Sequence, residues 1–177
     1  MSGHNKWQQI KHKKAVVDEK KAKLFSRLSR AITIATKESG PDPKMNYRLA
    51  SAIKDARDAN MPSDNIARAV KRAGEKGAQE LKEVWYEAYG PGGSALLIKA
   101  VTDNSNRTTN EVKRLLFEHG GNLGVAGATM WAFEKKGDEF IAKFPVPLSP
   151  DDTARFEALL EALDELEDVQ EVYSNSL

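Results

Sequence analysis

The chain has 177 residues, 40% of them apolar and 30% charged, enough for one or two small domains with a real core. It has no cysteine, which excludes a disulfide framework, zinc–thiolate sites and a cysteine nucleophile. The net charge of +1 hides a split: residues 1–80 hold 18 basic and 9 acidic residues, a balance of +9, whereas residues 81–177 hold 9 and 17, a balance of −8. Such a split suits a half that binds a polyanion and a half that avoids it. Apolar runs reach only about five residues, far short of a bilayer span. The N-terminal charges are followed by no apolar stretch, so they do not read as a secretory signal, and a cytoplasmic protein is expected.

The chain opens on a basic arm, residues 1–15, expected to be flexible. Lys6, Lys11, Lys13 and Lys14 lie there with no acid among them and no apolar period. A basic helical domain, residues 16–78, follows. Its first helix runs from about Val17 to Glu38, with Leu24, Phe25, Leu28, Ala31, Ile32 and Ala35 on one face. Lys20, Lys23, Arg27, Arg30 and Lys37 fall in a separate stripe about 100° wide. Gly40 and two prolines turn the chain into a second helix, about Asn46 to Ala59. Asn60-Met61-Pro62 breaks it, and Ser63 is the expected N-cap of a third helix through Arg72. Arg68, Lys71 and Arg72 add charge at its end. Asn65, Arg68 and Arg72 are exposed positions that suffice for contacts but form no diagnostic base-reading set.

From Lys82 the apolar period changes from 3.6 to 2, opening an acidic α+β sheet domain, residues 82–177. Strands are expected at Val84–Tyr89 and Ala95–Val101, and a helix at about Thr108–His119 after a polar loop, Thr102–Arg107. A hairpin turns around Lys135–Asp138, and an acidic helix after Ser149-Pro150 buries Phe156, Leu159, Leu160, Leu163 and Leu166. That helix is expected to expose Glu157, Glu161, Asp164 and Glu165. Val169–Tyr173 closes the chain. From Ala95 the order is the ferredoxin-like βαββαβ, with Val84–Tyr89 as an extra leading strand and two helices covering one face of an antiparallel sheet.

No catalytic constellation emerges. Gly90-Pro91-Gly92-Gly93 leads into a strand, with no Gly-Lys-Ser/Thr, so it reads as a turn and not a phosphate loop. The glycines from Gly120 to Gly127 follow a helix and lack the Gly-x-Gly start of a dinucleotide fingerprint, so they read as a flexible connection. His4, His12 and His119 have no metal or relay spacing, and His119 reads as a helix C-terminal cap. No catalytic residue, metal or cofactor is expected.

The same residues carry a resemblance. Ser2-Gly3-His4-Asn5-Lys6-Trp7, Asn60-Met61-Pro62-Ser63-Asp64-Asn65-Ile66, Tyr89-Gly90-Pro91-Gly92-Gly93, Thr102-Asp103-Asn104 with Asn106-Arg107-Thr108, and His119-Gly120-Gly121-Asn122-Leu123-Gly124 resemble the YebC/PmpR family. The resemblance implies a transcriptional regulator that binds DNA. It also implies kinship with the mitochondrial translational activator of cytochrome oxidase, and a ribosome-associated role for some members. Members usually carry a third small domain after the Phe133-Glu134-Lys135-Lys136-Gly137 stretch; here the chain runs on directly into the last αβ segment.

The reading is therefore a non-enzymatic nucleic-acid-binding regulator. Its phosphate contacts would come from Lys6, Lys11, Lys13, Lys14, Lys20, Lys23, Arg27 and Arg30, supported by Arg68, Lys71 and Arg72. Trp7 either stacks on an unpaired base or packs on the helical domain. DNA and ribosomal RNA both offer phosphates, so both stand as partners, the second through a ribosome-associated translation factor. A protein-interaction adaptor with a merely solvated basic face is the other class.

Overall fold

The computed structural model describes residues 6–10, 18–75 and 80–177. Helix α1 (Asp18–Ser39) packs its apolar seam, Leu28, Ile32 and Ala35, against Leu49, Ala52 and Ala56 of α2 (Tyr47–Asp58) and Ile66 and Ala69 of α3 (Ser63–Arg72). Alanines at these positions let the helices approach closely. Gly40, at φ 90°, ends α1 in the left-handed conformation that glycine adopts without strain. Asn46 joins α1 to α2. Its side-chain oxygen accepts the Leu49 N–H at 3.0 Å and caps α2, while its Nδ2 donates to the Ala35 and Gly40 carbonyls, each at 2.8 Å. At α3 the cap position is Pro62, and Ser63 is already helical. The Ile66 N–H reaches the Pro62 carbonyl at 3.2 Å, so the turn closes on backbone instead of a serine hydroxyl.

The sheet domain has the expected class, helices first and then an antiparallel sheet, but its strands are ordered differently. A four-stranded sheet runs β3-β1-β2-β6, made of β1 (Lys82–Tyr89), β2 (Ala95–Thr102), β3 (Asn122–Leu123) and β6 (Val169–Ser174). The strand expected to be an extra leader is therefore internal. It pairs with β2 along its full length, from Lys82 opposite Thr102 to Tyr89 opposite Ala95. The hairpin β4 (Phe133–Lys136) and β5 (Glu139–Ala142) forms at the expected place but makes a separate two-stranded sheet. The ferredoxin-like reading failed because it gave the hairpin a place in the main sheet, which is instead completed by β1 and the two residues of β3. The closing strand does pair with β2, Leu97 opposite Tyr173.

Helix α4 (Ser105–Glu118) and helix α5 (Pro150–Asp164) cover one face of the sheet. Val112, Leu116, Leu159, Leu160 and Leu163 meet Tyr86, Ala88, Leu96, Ile98 and Ala100 there. Helix α4 begins three residues earlier than its apolar period suggests, because Asn104 caps it by accepting the Arg107 N–H at 3.1 Å. His119 ends it, Nδ1–H donating to the Leu115 carbonyl at 2.8 Å. On the opposite face, Leu97 and Tyr173 pack with Phe133 of the hairpin, and Trp85 lies stacked on Tyr173 with ring centroids 6.3 Å apart.

The glycine-rich stretch after α4 is fastened, not loose. A Cβ on Gly121 would stand 2.4 Å from the Tyr89 carbonyl oxygen, so only glycine permits this approach to β1. Beyond it, the Glu87 carboxylate accepts the backbone N–H groups of Gly127, Thr129 and Met130 at 2.6, 2.7 and 2.8 Å. Partial burial pushes the Glu87 carboxyl up, but these amides outweigh it and hold it below the usual range.

Trp7 gives the largest departure. Residues 6–10 are helical, and Trp7, with 0% exposure, joins Ile10 in the same core as α5 and the sheet. One indole and one isoleucine make no period, so composition alone hid this anchor. Residues 1–5 and 11–15 of the expected flexible arm lie outside the described residues. Trp7→Ala should cost about 3–5 kcal/mol of stability, the range for emptying a buried tryptophan site. Denaturant unfolding would check this; a melt indistinguishable from the parent would show that the segment contributes nothing to the core.

Candidate nucleic-acid interface

The cationic stripe of α1 forms as the spacing predicts, but most of it faces protein. Arg27 is 4% exposed and its guanidinium is engaged by Asp164, at 3.0 Å to the carboxylate and 2.8 Å to the backbone carbonyl. Asp164, expected on a solvated face, is itself 9% exposed. Arg27 also lies over the Trp7 ring, 5.9 Å from its centroid. One turn earlier, Lys23 Nζ donates to Glu165 at 2.6 Å, and Ser26, next to Arg27 in the chain, donates to Glu167 at 3.2 Å. One turn later, Arg30 binds Asp168, donates to the Val101 carbonyl at 3.2 Å and lies 3.7 Å from Glu167.

Asp168 is the hub of this seam. Besides Arg30 it receives Arg107 Nη2 at 2.9 Å and the Thr108 hydroxyl at 2.5 Å. It therefore ties α1, the start of α4 and the start of β6. Arg107 also binds Asp103 at 2.8 Å, and this hydrogen bond, with the guanidinium charge, holds the Asp103 carboxyl below its usual range. A second junction lies on the open face of the sheet. There Glu83 binds Arg48 of α2 at 2.6 Å, lies 3.3 Å from Lys99, and accepts the Trp85 indole N–H at 3.0 Å. Burial pushes the Glu83 carboxyl up, but Arg48, Lys99 and Trp85 together hold it below its usual range. Between these junctions a cleft of about 1060 Å³ opens, with Leu24, Phe25 and Leu28 on one wall and Trp85, Phe140 and Tyr173 on the other.

The other candidates are placed as follows. Lys6 pairs with Glu157 at 2.7 Å. The buried Trp7 ring offers no face to a base and packs on the sheet domain, not the helical one. Lys11, Lys13 and Lys14 lie outside the described residues. Lys20 is partly exposed on α1, outside the seam. Arg68, Lys71 and Arg72 are all exposed on α3, three and four residues apart, with no carboxylate in ion-pair reach among the described residues. Arg68 is bonded to the Asn65 side chain beside it. The structure thus separates two cationic faces that the sequence suggested as one surface: α3, open to solvent, and α1, turned onto the sheet domain.

Among the described residues no helix is long and apolar enough to cross a membrane, and no cluster of His, Asp and Glu could hold a metal ion. A small basic three-helix domain latched by charge onto an acidic antiparallel sheet domain defines the class. The comparisons supply the family. The model of the TACO1/YebC protein N-terminal domain matches residues 5–76, and that of the TACO1/YebC second and third domain matches residues 81–139. The chain belongs to the TACO1/YebC family.

A protein of Dictyoglomus turgidum named "Probable transcriptional regulatory protein" is 54% identical over 144 residues, 81% of this chain and 58% of that protein. One of the same name from Halothermothrix orenii is 47% identical over 165 residues, 93% of this chain and 63% of that protein. The chain thus spans about three-fifths of the length of these relatives. The crystal structure of a conserved hypothetical protein from Aquifex aeolicus matches with a TM-score of 0.84 and 32% identity, over 92% of this chain and 93% of that one.

Two outcomes are expected from this geometry. Asp168→Ala leaves Arg107 with Asp103, Arg30 with only the more distant Glu167, and the buried Thr108 hydroxyl without its carboxylate, and should cost about 1–3 kcal/mol, measured by denaturant unfolding. Because the Glu83 carboxyl is depressed in the folded chain, its contribution is complete above the ordinary carboxylate range and is lost as the pH falls through the folded value. Glu83→Gln should therefore flatten the acid limb of a stability-against-pH curve; an unchanged limb would remove Glu83 from that role.

Proposed function

We propose that the chain is a non-enzymatic regulator of gene expression that acts by binding nucleic acid, with DNA as its polymer. The observation that carries this reading is the exposed face of α3, where Arg68, Lys71 and Arg72 stand together without carboxylate partners among the described residues. Three exposed cations on one face of a short helix suit a row of phosphates. The printed name of the relatives, probable transcriptional regulatory protein, supports the regulatory part. The acidic sheet domain would repel the same polymer and so orient the helical domain toward it.

One feature favours a second polymer. Asn65, the polar α3 side chain best suited to read a base edge, is bonded to Arg68. Contacts would then go to phosphate and shape, as in recognition of folded RNA, and a ribosome-associated role binding ribosomal RNA is the second reading.

The test is a titration of duplex DNA and of a ribosomal RNA fragment across a salt series. Arg68→Ala, Lys71→Ala and Arg72→Ala together should weaken binding and reduce the slope of log K against log salt by up to about three units on duplex DNA. All three side chains are solvent-facing, so the melt should hardly move. Absence of salt-dependent binding to either polymer overturns the reading and leaves a protein-interaction adaptor.

A further inference from the structure

The α1 stripe is not bare, and what covers it has the character of a ligand. Four acids lie within the five residues Asp164–Asp168, and each bonds the stripe or its flank. Glu165 takes Lys23, Asp164 takes Arg27, Glu167 takes Ser26 and approaches Arg30, and Asp168 takes Arg30. From Lys23 to Arg30 the helix advances about 10 Å. Over the same distance one strand of a duplex presents about three phosphates. The acidic turn therefore sets its charges on α1 at the density of a nucleic-acid strand.

The match is graded along the seam. Asp164 and Asp168 are buried, with side chains 9% and 5% exposed, whereas Glu165 and Glu167 are 45% and 46% exposed. The two glutamates are thus the salt-sensitive rim, and the two aspartates are the core. Around this seam the two domains keep separate apolar clusters, with the open cleft beside it. An interface made mainly of charge is one that a competing polyanion can enter from its rim.

We propose that the segment Asp164–Asp168 is an intramolecular stand-in for a nucleic-acid strand, and that the α1 stripe is a second polyanion-binding face, uncovered when a strand displaces the glutamate rim. This rests on the reading of the chain as a nucleic-acid binder and adds to the α3 face a masked one, so that binding and the closed arrangement of the domains compete.

The experiment neutralises the rim and leaves the buried pairs intact. Glu165→Gln with Glu167→Gln should raise affinity for a fluorescent duplex and for a single-stranded oligonucleotide several-fold. It should also steepen the salt slope on the duplex by up to about one unit, because Lys23 loses its Glu165 carboxylate and two negative charges leave the rim, while Arg30 stays on Asp168. The control, Glu134→Gln with Asp151→Asn, changes the net charge equally, away from the stripe, and should leave the slope as it was. Equal behaviour of the two double variants overturns the masking. Binding by neither the parent nor any variant overturns the nucleic-acid reading beneath it. A second arm uses the absence of native cysteine. Ser26→Cys and Glu167→Cys, joined by a short bifunctional thiol crosslinker, should bind with a shallower slope than the unjoined double variant; identical slopes also overturn the proposal.

Discussion

The arrangement of the two domains depends on a charged seam, Arg27 with Asp164 and Arg30 and Arg107 with Asp168. Each domain has its own apolar core, and among the described residues no apolar cluster joins α1, α2 and α3 to the sheet. The hydrophobic effect is non-directional and would tolerate many relative orientations. Buried ion pairs add little net stability but penalise any orientation that leaves one charge alone. Arg27 meets these terms with a carboxylate, a backbone carbonyl and the Trp7 ring, and Asp168 meets them with two guanidinium groups and a hydroxyl. The seam thus sets which face of α1 is hidden and leaves the exposed cations of α3 as the open basic surface.

Residues 6–10 reinforce that geometry from outside the helical domain. Although they precede α1 in the chain, Trp7 and Ile10 belong to the core of the sheet domain. Lys6 holds Glu157 on α5, and Gln8 Nε2 donates to Glu171 on β6 at 3.4 Å. The sheet domain is therefore assembled from both ends of the sequence. The cation–π contact of Arg27 over Trp7 is where this N-terminal piece meets the seam.

Local elements were legible because they rest on local periodicity. The seam of α1, Ser149 as the cap of α5, and two strands on either side of the Gly90–Gly93 turn follow from apolar spacing and turn chemistry. What was not legible depends on partners far away in sequence. Arg27 looks like any stripe lysine or arginine until Asp164, 137 residues on, is placed beside it. Trp7 has no periodic company to reveal its burial, and Asp164 sits at the end of an acidic helix whose Asp151 and Glu161 are exposed. Helix α4 started early because a cap and not an apolar residue opens it. The strand order was missed because a two-residue strand carries no periodicity, and Gly121, which permits it, reads equally well as slack chain. Of the candidate interface, Arg68 and Arg72 of α3 are exposed as the sequence suggested, Asn65 beside them is half-buried, and the hidden state of α1 needed three dimensions.

The β4–β5 hairpin bears on where this fold can take up extra chain. It stands apart from the four-stranded sheet, touching it through Phe133 and Phe140 around Trp85 and Tyr173. The sheet is finished by β6, whose pairing with β2 runs past the hairpin without using it. The tip at Gly137, held at φ 63°, is thus a point where chain can leave and return with no strand changing its register. The match to the second and third domain ends at residue 139, two residues beyond this tip. Extra chain set in at this tip would stand to the fold as an annexe to a building, and the frame that positions α1 and α3 would stay as it is.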